Sequence, residues 1–93
     1  MIKNFACKET EKIFRRQLSR RLPHLIQSTA LKKLWMLNAA TSLVDLKIPP
    51  ANRLEKLAGF NQNEYSLRIN DQWRICFKWL KQDAYQVKII DYH

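Results

Sequence analysis

Apolar positions along the chain change their spacing once, and the change falls at a pair of prolines. Before the pair they recur at helical intervals; after it they alternate. Ile2 to Ala6 reads as a short opening strand, with Ile2 and Phe5 as its apolar positions. From Lys8 the pattern is helical: Thr10 is the predicted N-cap, and Ile13, Phe14 and Leu18 share a face. Pro23 suits the first turn of a second helix. There Ile26, Ala30, Leu34 and Leu37 form a stripe, widened by Leu31 and by Trp35, which is expected in the core. Thr41-Ser42 offers a cap for a short turn through Leu43, Val44 and Leu46. Pro49-Pro50 then closes the helical half.

The second half reads as sheet. Arg53 to Leu57 is a strand candidate stopped by Gly59, and Asn61, Gln62 and Asn63 make a polar turn. Tyr65, Leu67 and Ile69 alternate with Ser66, Arg68 and Asn70. After a tight turn at Asn70-Asp71, Trp73, Ile75, Phe77 and Trp79 alternate with Arg74, Cys76 and Lys78. A turn at Lys81-Gln82-Asp83 leads to a last strand with Tyr85, Val87 and Ile89 on its apolar side. Such short connections imply an antiparallel meander, and the two helices can cover one face, so the expected class is α+β. The uncovered face then carries Ser66, Arg68, Arg74 and Lys78, joined by Lys88. Charged residues on a strand face are ordinarily just solvated. Here cations gather with few acids opposite, and two arginines on neighbouring strands make a natural phosphate clamp.

Composition narrows the classes further. At 93 residues there is room for one domain, residues 1–93, and 46% hydrophobic content suffices for its core. A single glycine and three prolines exclude low-complexity or collagen-like chains. No apolar run approaches the ~18–20 residues of a membrane span, and Met1 to Lys8 is too short and too soon charged for a signal peptide. Cys7 and Cys76 form no metal-binding spacing, and a reduced cytoplasmic chain is the simpler reading. Seventeen Lys+Arg against eight Asp+Glu give a net charge of +9, which favours a polyanionic partner. The excess is lopsided: residues 1–35 hold nine Lys/Arg and two Glu, with Arg15, Arg16, Arg20 and Arg21 clustered.

No Gly-rich phosphate loop, zinc cluster or Ser/His/Asp ordering is present. A nuclease built from this chain would work through acids, bases and arginines, which RNA permits because its own 2′-hydroxyl can attack. The terminal Asp91-Tyr92-His93 supplies a carboxylate, a phenol and an imidazole, although a chain end is ordinarily frayed. His24, beside Pro23, reads as structural or merely exposed. Glu55 is the only acid in residues 51–63, and its plain reading is a surface ion pair.

Asn52 to Gly59, then Tyr65-Ser66-Leu67-Arg68-Ile69-Asn70-Asp71-Gln72-Trp73-Arg74-Ile75-Cys76-Phe77, then Asp91-Tyr92-His93, together resemble HigB. This is the host-growth-inhibiting branch of the RelE/ParE superfamily of type II toxin–antitoxin systems. The opening Ile2-Lys3-Asn4-Phe5 is similar to the start of the same family, so the resemblance spans nearly the whole chain. It implies a RelE/ParE-like fold, a twisted antiparallel sheet with N-terminal helices packed on one face. It also implies a ribosome-dependent, metal-independent mRNA endoribonuclease without cofactors, which inhibits translation and growth. Arg74, Asp91, Tyr92 and His93 match the catalytic positions, and Arg68 presents a further cation to RNA. Where some relatives place His or Lys upstream of the glycine, this chain has Arg53, Glu55 and Lys56. Glu55 therefore joins the catalytic candidates, and Arg53, Lys56 and Lys78 join Arg68 as RNA-binding candidates. The implied partners are a HigA-type antitoxin, the 70S ribosome, mRNA and rRNA, with operator DNA bound mainly through the antitoxin and no membrane. Arg15, Arg16, Arg20 and Arg21 are the expected docking cluster for ribosome and antitoxin. ParE-like relatives use the same scaffold to poison DNA gyrase, and a non-catalytic basic nucleic-acid-binding protein would share the charge; both are alternatives.

Overall fold

The longest helix forms where leucine, alanine and lysine recur, all good helix formers. In the computed structural model, which describes residues 1–57 and 63–92, it is α2, His24–Ala39, with Pro23 as its N-cap. Its stripe of Ile26, Ala30, Leu34 and Leu37 is buried, as the spacing predicts. Trp35 is not in the core. It is 43% exposed, stacked on Phe14 at 5.2 Å between ring centroids, with the Arg16 guanidinium 5.6 Å from its own. One residue on from Leu34 is about 100° around the helix, and the short α1 does not reach far enough to cover it.

Helix α1, Lys8–Phe14, is capped by Cys7 rather than Thr10. Thr10 lies inside it, fully buried, and its Oγ1 accepts the Ile89 amide at 2.9 Å. A hydroxyl that would otherwise cap the helix thus fastens it to the last strand. The helix stops at Phe14, and Arg16 takes a left-handed φ of 63°. Leu18 therefore never joins the helix face and is exposed. Ser42 and Asp45 form a capping box on a 3-10 turn, Leu43–Lys47. Pro50 does not end helical geometry outright, since it opens a second 3-10 turn, Pro50–Asn52. Asn52 is fully buried and donates to the carbonyls of Leu46 and Ile48, tying the two turns together.

The sheet runs β1 (Glu55–Lys56), β2 (Glu64–Arg68), β3 (Trp73–Leu80) and β4 (Asp83–Asp91), in that spatial order and antiparallel throughout. This is the meander that the short turns predict. Leu67, Ile75 and Ile89 stand in one cross-strand row and face the helices. The opening segment is not a full strand: Ile2 and Phe5 make single parallel bridges to Ala84 and Val87. On β4 the expected alternation fails at Tyr85. Cys76 pairs with Lys88 but Lys78 pairs with Tyr85, and Gln86 fills the irregularity with φ 54°. The bulge turns Tyr85 to the side of Lys78 and gives the core positions to Ala84 and Val87, both fully buried. Gly59, Asn61, Gln62 and His93 lie outside the described residues. Among those described, no helix is long and apolar enough to cross a membrane.

Candidate active site on the open sheet face

Arg74 sits mid-sheet with its side chain directed away from the helices, and it is only 6% exposed. Its cross-strand neighbourhood on β2 includes Ser66, small enough to let a guanidinium lie along the sheet. Arg74 Nε donates to Ser66 Oγ at 2.8 Å, and Nη2 donates to the Arg53 carbonyl at 2.6 Å. Arg53 presents that carbonyl because its own backbone is left-handed, φ 42°, just before β1. Glu55, paired across from Ser66, brings its Oε2 to 3.8 Å from Arg74 Nη2. The Tyr92 ring centroid lies 5.5 Å from the guanidinium carbon, and the Tyr92 amide is fixed on the Gln72 carbonyl at 2.6 Å. Nη1 of Arg74 makes no hydrogen bond to any described residue. The result is a desolvated, hydrogen-bonded cation with a carboxylate and a phenol ring beside it. Such a donor interacts strongly with an anion because water competes little for it.

The other candidates divide by register. Arg68 pairs directly across from Arg74 and forms an ion pair with Asp71. Its carbonyl accepts a hydrogen bond from Lys33 Nζ of α2, a nearly buried lysine that sequence reasoning missed because beside Lys32 it reads as solvated. Burial first, then the charges of Arg68 and Arg74, hold the Lys33 ammonium below the usual lysine range. Lys78 stands across from Glu64 and Tyr85, further along the face from Arg74. Lys56 pairs with Tyr65 and so points to the face opposite Glu55. Asp91 pairs with Trp73, one position out of phase with Ile90 and Tyr92, and its Oδ2 accepts from Gln72 Nε2 at 3.1 Å. The structure thus gathers Arg74, Glu55, the Arg53 carbonyl and Tyr92, with Arg68 adjoining, and leaves Lys56 and Asp91 outside the cluster. Ser66 was legible only as a member of the open face. Among the described residues, no three of His, Cys, Asp and Glu stand together as a metal site.

Residues 3–93 match the model of the HigB-like toxin family, described as RelE-like toxins of type II toxin–antitoxin systems. The chain belongs to the HigB family. It is 41% identical over 61 residues to Toxin HigB-1 of Vibrio cholerae, covering 66% of this chain and 64% of that protein. A Haemophilus influenzae protein is 36% identical over 59 residues, covering 63% and 58% of the two chains. The alignments thus span somewhat under two thirds of the length of these two relatives. Endoribonuclease HigB of Proteus vulgaris is 27% identical over 93 residues, the full length of both.

In this HigB-family chain the basic cluster falls in the loop joining α1 to α2. Arg15, Arg16, Arg20 and Arg21 are all exposed, and Arg15 is shared with Glu11 in an ion pair at 3.0 Å. Their loop is held from within. Gln27 of α2 donates to the carbonyls of Ser19 and Leu22 at 2.8 and 2.9 Å and accepts the Ser19 amide at 3.1 Å. The Ser19 hydroxyl donates to Glu9, and this bond, with Lys12 nearby, holds the Glu9 carboxyl below the usual carboxylate range. Leu18 and Leu25, on either side of Arg20 and Arg21 in the sequence, are exposed as well.

Proposed function

We propose that the chain is the toxin of a type II toxin–antitoxin pair and acts as a ribosome-dependent mRNA endoribonuclease. The observation that carries this is Arg74: a buried guanidinium on the open face, held by Ser66 and the Arg53 carbonyl and laid against Tyr92, whose Nη1 bonds to none of the described residues. The names of the Vibrio and Proteus relatives support a toxin and an endoribonuclease respectively. In the proposed reaction the 2′-oxygen of RNA attacks the adjacent phosphorus. The P–O5′ bond breaks, leaving a 2′,3′-cyclic phosphate and a 5′-hydroxyl. Arg74 stabilises the charge that builds on the phosphoryl oxygens, an interaction of the kind whose removal costs ~3–4 kcal/mol. Glu55, at the Arg74 guanidinium, takes the 2′-hydroxyl proton. His93, next in the chain to Tyr92, returns one to the leaving oxygen, and Tyr92 supports a splayed base. Arg68, Arg53 and Lys78 neutralise neighbouring phosphates, and Lys56, on the other face of β1, takes no part.

The Arg15/Arg16/Arg20/Arg21 patch docks on ribosomal RNA in the cytoplasm, and a HigA-type antitoxin with acidic groups covers the same patch and brings the pair to operator DNA. The 93 residues work as one unit in this reading. The test is induction of the chain alone, followed by mapping of transcript 5′ ends and an assay for DNA breaks. New cuts confined to translated regions of mRNA are expected. Growth arrest with DNA breaks and uncut transcripts would replace the nuclease with a gyrase poison.

A further inference from the structure

Beyond Arg74, the open face holds a cavity of about 160 Å³ that the reaction above does not use. It exists because of two local features. Cys76 is a small residue on the central strand between Arg74 and Lys78, and it faces Ser66 and Lys88 across the ladders. The bulge at Gln86 then swings β4 away from β3 at that level. Leu57, Cys76 and Ile90 supply apolar lining, and Glu64, Gln86 and Lys88 polar lining. Burial pushes the Cys76 thiol up, and Lys88 and Arg74 oppose that shift, so the cavity shares the electrostatic field of Arg74.

The spacing suits one ligand chemistry. Cys76 is two residues along β3 from Arg74, about 6.6 Å at a strand's rise, the scale of one nucleotide step from a phosphate to a neighbouring base. The volume is well below the roughly 300 Å³ at which drug-sized sites begin, so it admits one flat heterocycle. The Gln86 amide offers a donor and an acceptor to its edge, and single-stranded RNA is commonly read by splaying a base into such a slot.

Resting on the ribonuclease reading, we propose that this cavity is a base-binding subsite. It receives the base next to the phosphodiester held by Arg74, walls it with Leu57, Cys76 and Ile90, and reads its edge through Gln86. Lys78 and Lys88 lie where the following phosphates would pass.

The probe is ribosome-bound mRNA carrying, at each position flanking the cut, one of the four bases or an abasic nucleotide. The wild-type protein is expected to cut one abasic substrate roughly tenfold or more slowly than its intact counterpart. Cys76→Leu, which fills the cavity, is expected to bring that ratio to about one, with folding checked by thermal melting. Gln86→Asn, tolerant of the left-handed backbone, is expected to lose the preference among the four bases while still discriminating against the abasic nucleotide. If Cys76→Leu does not fold, Gln86→Asn alone decides: an unchanged base preference overturns the subsite. Wild-type cleavage indifferent to every abasic position also overturns the subsite and leaves the nuclease standing. A protein that cuts no ribosome-bound RNA overturns both.

Discussion

Arg74 and the four arginines of the α1–α2 loop carry the same charge in opposite settings. Arg74 is buried, hydrogen-bonded to Ser66 and Arg53 and laid against Tyr92. Arg15, Arg16, Arg20 and Arg21 are exposed, on a loop whose backbone is fixed by Ser19 and Gln27 while their side chains reach solvent. A fixed, desolvated guanidinium discriminates by geometry at a distance of one hydrogen bond. Exposed guanidiniums discriminate by field, over about a Debye length, and salt weakens them. In the proposed reaction the contrast separates a site for charge that develops in a transition state from a surface for charge that is always there.

The largest effect tests the buried side. Arg74→Lys is expected to lower cleavage of ribosome-bound mRNA about 100- to 1000-fold, because an ammonium cannot span Ser66, Arg53 and an incoming phosphate together. Melting should be measured beside the rate, since lost hydrogen bonds to buried acceptors cost about 1–3 kcal/mol. A folded Arg74→Lys protein cutting at the wild-type rate would erase the distinction. Next, changing the four loop arginines to glutamate is expected to slow association with the ribosome by about 10- to 1000-fold at low salt. Antitoxin binding should weaken with it, and melting should barely move. Toxicity and neutralisation both unaltered would show that the loop charge steers nothing.

The smallest effect concerns Lys33, which sharpens what the buried field costs. Lys33 lies nearly buried beside Arg68 and Arg74, and its only described hydrogen-bond acceptor is a carbonyl. Lys33→Met is expected to raise the melting temperature by a few degrees. The pH dependence has a definite sign. Its folded-state pKa is depressed, so stability is lowest while the amine is charged in both states. Stability then rises as pH climbs through the folded value towards 10.5. Melting curves from pH 8 to 11 should show that rise in the wild type and lose that component in Lys33→Met.

Much of the fold was legible because hydrophobic period records burial directly. The α2 stripe and the β2 and β3 alternations each survive intact in the structure. Two of the misreadings share a cause, which is local chemistry overruled by a distant partner. Thr10 looks like a cap but bonds to Ile89, 79 residues away. Tyr85 looks inward until a bulge at Gln86, a residue with no special turn preference, reverses the strand's phase. At the site, Arg74 was readable as a member of the open face, and Glu55 and Tyr92 from the resemblance. The Arg53 carbonyl was not, because a backbone acceptor leaves no mark in side-chain pattern. Lys33 was hidden for the converse reason: its charge suggested solvent while its place on α2 put it against the sheet.

The bridges of residues 1–6 along β4 bear on how the molecule behaves in a crowd of its own kind. The amides of Lys3 and Ala6 bond to the carbonyls of Ala84 and Val87, and the amides of Ala84 and Val87 bond back to Met1 and Asn4. Even the bulged Gln86 amide is taken, by the Asn4 side chain. At the opposite margin the edge strand β1 is only two residues long. A sheet finished in this way is a chain-terminated oligomer of strands: neither end offers a long template for the next one. Folded copies at high concentration therefore have little means of growing into fibrils by strand addition.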